Sequence, residues 1–267
     1  MLRERLLSAL IGLPLLLAAV LLGGWPLAAA MALLAGVAGW EGGRLAGALG
    51  VRFAPWLPAL PPALAVLLWQ LRPRVGLYVL AFSLLLLLAR AEWQVVAERR
   101  PAREALVEYV ALVAALLYPS LFASAVALRR LEHGALWLTL VFAGTWLNDA
   151  AAFFVGRLWG RRLLAPGLSP GKSVEGAVAG GVTALVVWMA ATPWTGLALP
   201  GAVALGMAAA LLGPVGDLFE SLVKRAAEWK DSGSLIPGHG GVLDRFDSFL
   251  LIAPTSLVLI RLFTGAG

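Results

Sequence analysis

Apolar residues fill this chain in nine runs, near 6–23, 25–42, 55–71, 75–90, 105–128, 135–158, 174–192, 200–226 and 244–264. Most are long enough for a helix to cross a hydrocarbon core about 30 Å thick. The pattern predicts an all-α polytopic membrane protein with about nine transmembrane helices. The second and third runs are short or interrupted by Gly and Pro, and Pro119 should kink the fifth or divide it into two shorter helices. The first run follows a basic start, MLRER, as a signal peptide would. It is nevertheless span-length and more spans follow at once, so it reads as the first transmembrane helix. We see no internal repeat and no soluble domain, and read 1–267 as a single integral-membrane domain.

Composition agrees with this pattern. Of the 267 residues 61% are hydrophobic and 13% charged, with mean hydropathy +0.88. A soluble domain carries about 25% charged residues. Cysteine is absent, which excludes disulfides, thiolate metal sites and a thiol nucleophile. The net charge of +6 reads as loop cations that set topology and meet anionic headgroups, and not as a nucleic-acid surface. Placing the N-terminus in the cytoplasm puts sixteen of the 21 Lys and Arg residues on the cytoplasmic side. The positive-inside rule thus favours N-in, C-out. The same count puts the polar loops after the sixth and eighth runs on one face of the membrane, within reach of a water-soluble phosphorylated substrate.

Two polar constellations interrupt the apolar pattern. In the first, Asp149 sits well inside the sixth run, on a helical face shared with Ala152, Phe153, Gly156 and Gly160. An ionisable residue in a span is a functional candidate, and the small residues would let another backbone approach closely. Arg157, Arg161 and Arg162 follow at the membrane surface, where anchoring and phosphate binding are both served by cations. Next comes SPGKSVEG, Ser169 to Gly176. It is not a P-loop, because the position that the Walker pattern needs as Gly is Pro166 and no strand is expected before it. What remains is a Ser-Pro turn, Lys172 as a point charge, and Ser173 as N-cap of a helix with Glu175 in its first turn.

The second constellation runs from Asp217 to Asp247 and holds six carboxylates, four cations and His239 in 31 residues. Asp217, Glu220, Ser221, Lys224 and Glu228 recur at the spacing of one helical face. Gly213, Pro214 and Gly216 should weaken the helix just before them and open its backbone to water or ions. The loop DSGSLIPGHGG offers close backbone approach to a ligand through its glycines, Gly240 and Gly241 included. Asp244, Arg245 and Asp247 open the ninth run. A helix-loop-helix hairpin that brought Asp217 and Asp244 together would supply two oxygen ligands of the kind Mg²⁺ takes beside substrate phosphates. With cations around them, phosphoryl or nucleotidyl transfer is the chemistry that fits.

The run from Ser221 to Asp247, SLVKRAAEWKDSGSLIPGHGGVLDRFD, resembles the full signature of the phosphatidate cytidylyltransferases, or CDP-diacylglycerol synthases. Asp149, Ala152, Gly156, Gly160, Ser169, Pro170, Lys172, Glu175 and Gly176 resemble that family's other polar region. Phe153 departs from it, standing where the family often has Tyr. The resemblance implies the reaction of CTP with phosphatidate to give CDP-diacylglycerol and pyrophosphate. It implies a multi-pass enzyme of the bacterial cytoplasmic (inner) membrane, a homodimer, that needs Mg²⁺ with K⁺ as a possible second ion. By this analogy Asp217 and Asp244 are metal ligands, with Asp247 and Asp149 nearby. Lys224 and Lys230 join Asp217, Asp244 and Asp247 as the catalytic set. Substrate binding falls to Lys172, Ser169, Ser221, Arg225, Asp231, His239, Gly240, Gly241, Arg245, Asp149 and Arg157. Residues 135–267 would carry the chemistry, and 1–134 the scaffold and the dimer surface. A polyprenol kinase using CTP, or a transporter with Asp149, Asp217 and Lys224 on an ion pathway, are the other readings of these residues.

Overall fold

The structure is a computed structural model and describes residues 2–54, 56–235 and 240–265, the side chains of 2–7 and 9 excepted. In chain order its helices are α1 (Leu2–Leu22), α2 (Gly24–Ala48), α3 (Leu60–Trp69), α4 (Pro73–Val96), α5 (Ala102–Ser120), α6 (Ala123–Arg129) and α7 (Gly134–Trp159). These are followed by α8 (Val174–Ala190), the single turn α9 (Thr192–Thr195), α10 (Leu199–Ala226) and α11 (Leu243–Thr264). A 3₁₀ turn, Leu57–Ala59, leads into α3.

Each of the nine apolar runs is helical. Five segments among the described residues are long and apolar enough to cross a membrane: Pro73–Val96, Ala102–Arg129, Gly134–Trp159, Leu199–Ala226 and Leu243–Thr264. On α4 the large side chains Tyr78, Phe82, Leu85 and Leu86 are exposed. Contiguous apolar surface of this kind is stable against lipid and not against water. The protein is a polytopic helical membrane protein. Pro119 divides the fifth run as expected: α5 stops at Ser120 and α6 restarts at Ala123.

A short antiparallel pair, β1 (Leu163–Ala165) with β2 (Ser169–Ser173), departs from the all-α expectation. The SPGKS segment therefore sits on a strand of a small hairpin and not in a plain turn. At three and five residues, these strands are too short for alternation to be legible in the sequence.

The chain forms two compact units. The first comprises Met1–Val126 and Ala226–Arg245, the second Ala127–Arg225 and Phe246–Gly267. In the first unit α2 packs against α3 and α5 along a buried stripe of Leu27, Ala28, Met31, Ala35 and Ala38. In the second, α7 lies against α8, with Trp137 stacked on Trp188 at 6.4 Å. Phe142 of α7 stacks on Phe249 of α11 with centroids 4.3 Å apart.

Candidate functional site

The second unit holds the first polar constellation and the two ends of the second, Asp217 to Arg225 and Asp247. Ser173 caps α8, its Oγ accepting from Gly176 N–H at 3.1 Å, as the sequence predicts. Glu175 in the first turn accepts from the N–H groups of Arg161 (3.0 Å) and Arg162 (3.2 Å). Those bonds fix the start of the hairpin, and the hairpin delivers Lys172. The Lys172 ammonium forms an ion pair with the carboxylate of Asp217 on α10. Further along α10, Arg225 Nε donates to Leu168 O in the hairpin turn at 3.3 Å. The hairpin and helix α10 are thus tied at two points, and the two constellations meet.

Asp247, buried in the second turn of α11, lies beside Glu220 and within electrostatic reach of Asp217 and Asp149. Its Oδ1 accepts from Ser248 N–H at 2.6 Å. Glu220, only 4% exposed, accepts from Lys224 Nζ at 3.2 Å. Ser221 is half-buried on the same helix, Ser169 is half-buried on β2, and Arg157, in the last turn of α7, is exposed, as is Asp149. Phe153 is exposed and packs edge-on against Phe154.

Three expectations need correction here. Gly213, Pro214 and Gly216 do not open the backbone to water: α10 runs through them unbroken. The Gly213 carbonyl accepts from Ser248 Oγ at 3.0 Å, and a Cβ on Gly216 would press against Asp247 O at 2.6 Å. The glycines serve close packing of α10 on α11. Glu228 does not continue the Asp217 face, because α10 ends at Ala226 and Glu228 turns the chain with φ 58°. Lys172 follows a strand after all.

Asn148 was not anticipated. It is 1% exposed and donates from Nδ2 to Ala209 O at 3.2 Å. It lies against Gly180 and Gly213, so it joins α7, α8 and α10 through one amide. Its place next to Asp149 in an apolar run was the available signal.

The first unit holds Asp244 and the loop before it. Asp244 Oδ2 accepts from Ser232 N–H (2.9 Å), Ser232 Oγ (2.9 Å) and Gly241 N–H (2.7 Å). The Gly241 N–H, expected to face a ligand, is here turned to a carboxylate of the chain itself. Behind this loop stands Glu41 of α2, 0% exposed. Glu41 accepts from Val242 N–H (2.9 Å), Leu243 N–H (2.9 Å) and Ser232 Oγ (3.2 Å). A carboxylate on free N–H groups at the start of α11 is favourable on both hydrogen-bond and dipole grounds. As a lone acid inside the second apolar run, Glu41 carried the mark of an intramembrane functional residue and was passed over. One turn along, Arg44 stacks between Trp40 (5.0 Å) and Trp229 (5.1 Å), which fastens the segment after α10 to α2. Lys230, Asp231 and Arg245 are exposed, and Gly240 has φ 82°. His239 lies outside the described residues.

Asp217 belongs to the second unit and Asp244 to the first. Among the described residues, no group of three or more acidic or histidine side chains could hold a metal ion. Asp217 has a cation, Lys172, already against it, whereas one oxygen of Asp244 is engaged by three loop donors.

Fold and site together define a helical membrane protein with a charged surface built by a strand hairpin and a long helix. A sequence model of the Cytidylyltransferase family matches residues 3–263, nearly the whole chain. The chain belongs to this family. It is 44% identical over 128 residues to a phosphatidate cytidylyltransferase of Haemophilus influenzae, covering 46% of this chain and 44% of the relative. It is 40% identical over 135 residues to one of Bacillus subtilis, covering 50% of each, and 38% identical over 131 residues to one of Staphylococcus saprophyticus, covering 48% and 50%. The matched stretch spans about half the length of these curated relatives.

Proposed function

We propose that this protein is a CTP:phosphatidate cytidylyltransferase that makes CDP-diacylglycerol in phospholipid biosynthesis. The observation that carries this reading is the Lys172–Asp217 ion pair, which joins the two polar regions of the family resemblance in one place. An oxygen of the phosphatidate phosphate attacks the α-phosphorus of CTP. A new P–O bond forms, the bond from the α-phosphorus to the bridging oxygen breaks, and pyrophosphate leaves with that electron pair. The nucleophile is already anionic at neutral pH, so the protein has mainly to position two anions and offset their repulsion.

In this reading Lys172 and Lys224 are drawn from their carboxylate partners onto the incoming phosphates. Arg225, Lys230 and Arg245 are assigned as further cations for the phosphates, and Ser169, Ser221, Asp231 and the Gly240–Gly241 backbone are assigned to substrate binding. Asp149 and Arg157 are assigned to substrate binding and Asp247 to the catalytic set. Asp217 fits a divalent cation, being a half-exposed carboxylate that already accepts a positive charge, and a Mg²⁺ held there would neutralise developing charge on the phosphates. Asp244 shapes the loop with one oxygen and is the second candidate ligand. We further propose nine spans in an N-in/C-out arrangement in the bacterial inner membrane, with the site facing the cytoplasm and a homodimer formed through residues 1–134.

Membranes carrying the protein, given phosphatidate, Mg²⁺ and CTP labelled at either the α- or the γ-phosphorus, test the reaction. The α-label should enter the lipid product and the γ-label should leave as pyrophosphate. Transfer of the γ-label to a polyprenol would establish the kinase reading instead. Ion flux in liposomes without CTP, with no lipid labelling, would establish the transporter.

A further inference from the structure

The arginines of the short connection between α4 and α5 were read as topology anchors, and the structure gives them a more specific setting. A cavity of about 310 Å³ opens there, lined by the segment just after α2 (Leu49, Gly50, Val51), by Arg52 and Arg100, and by the first turns of α5 (Arg103, Glu104, Val107, Glu108). All of these residues lie in the first unit, and none belongs to the catalytic or substrate set proposed above. An anchor needs neither a cavity nor a fixed side chain, and this site has both. The volume is at the lower end of small-ligand pockets, suited to a headgroup.

The charges are arranged in two layers. Glu108, 3% exposed, accepts from Arg100 (2.9 Å), Arg90 (2.9 Å) and Gln94 (2.8 Å). Arg90 is held in turn by Arg52 O at 2.8 Å. Arg100 also pairs with Glu104 at 3.6 Å. The bonds to Glu108 push the Arg100 guanidinium above the ordinary arginine range, so it stays charged. The two carboxylates of the cavity are thus already engaged by arginine. Arg52 and Arg103 are both exposed and line the cavity, and among the described residues no ion pair or side-chain hydrogen bond engages their guanidiniums. Arg99 holds the connection in shape with φ 53°, a left-handed conformation that a non-glycine residue adopts only where its surroundings impose it.

We propose that this cavity binds the phosphate of an anionic phospholipid headgroup through Arg52, Arg103 and the fixed Arg100, with the exposed Leu49 and Val107 at its edge against the lipid's glycerol and upper chains. Guanidinium pairs phosphate oxygens in a fork geometry, and basic pockets at the ends of membrane helices are suited to anionic headgroups. The cavity lies where the helices α2, α4 and α5 end or begin, and α4 presents an apolar surface along which acyl chains can run. The site does not rest on the proposed reaction.

Equilibrium binding to the purified full chain tests it, using dihexanoyl phosphatidylglycerol, dihexanoyl phosphatidylcholine and inorganic phosphate as probes. The phosphatidylglycerol should bind saturably and the phosphatidylcholine should not. The double variant R52Q/R103Q should bind at least about tenfold more weakly, and R52K/R103K should recover part of the loss. Turnover of both variants at saturating substrate should match the parent. Equal binding of the two lipids, or unchanged binding by a folded R52Q/R103Q, would overturn the proposal. Displacement of the lipid by equimolar inorganic phosphate would assign the site to free phosphate and also overturn it. Should R52Q/R103Q fail to fold, R52K/R103K and the salt dependence of the parent decide: binding that does not weaken with salt refutes the site.

Discussion

Glu41 Oε1 accepts the backbone N–H of Val242 at 2.9 Å, across 201 residues of chain. One buried carboxylate of the second helix thereby holds the start of the last. The same side chain receives Leu243 N–H and Ser232 Oγ, and Ser232 in turn donates to Asp244. Asp244 is positioned by a relay whose far end lies in the N-terminal half.

Glu41→Gln keeps the shape and replaces one acceptor oxygen by a donor that faces another donor. The expected result is a loss of about 1–3 kcal/mol of stability, from hydrogen bonds to a charged group in a buried setting. Thermal unfolding in detergent measures it. An unchanged unfolding temperature together with unchanged turnover would refute the positioning role.

Asp217→Asn should abolish turnover while leaving expression and membrane insertion intact, since Asn binds neither a divalent cation nor Lys172 as a carboxylate does. Lys172→Met should also lower turnover. The double variant should be no worse than Asp217→Asn alone, because the two side chains act on one another. Additive losses in labelled-CTP assays would separate them.

Gly180→Ala tests the helix contact at Asn148. A methyl at this position would overlap Asn148 Oδ1, and the amide cannot swing away without losing the buried bond from its Nδ2 to Ala209 O. Overpacking of this kind destabilises by about 1–3 kcal/mol. A drop in unfolding temperature is expected, with turnover falling only as far as folded protein is lost.

Ser173→Ala removes the cap of α8 and should destabilise by about 1 kcal/mol. The hairpin that carries Lys172 begins at the same point, so the Michaelis constant for CTP should rise as well. Ser173→Thr should restore both, and a failure of Thr to do so would show that the hydroxyl is not what matters.

Much of this architecture is legible in the residues alone. A helix in lipid must satisfy its own backbone, so long apolar runs dictate helices wherever they occur, and all nine runs are helical. The fifth run breaks just after Pro119, between Ser120 and Ala123, as a residue that lacks an N–H and crowds its neighbouring turn leads one to expect. The Ser173 cap follows from the same local chemistry, as does the concentration of charge between Asp217 and Asp247. Such features depend on neighbours within a few positions.

What the tertiary structure alone decided involves partners far apart in the chain. Periodicity could place Lys172 before one helix and Asp217 on another, but not the contact between them. It could place the glycines near Asp217, but not show that they admit α11 in preference to water. Glu41 looked like an isolated acid because its partners are backbone N–H groups some 200 positions later, and a backbone N–H is the same in every residue that could supply it. Local sequence records the propensity of a segment. The pairing of a buried charge is set by whichever segment packing brings to it, and that is a property of the folded chain.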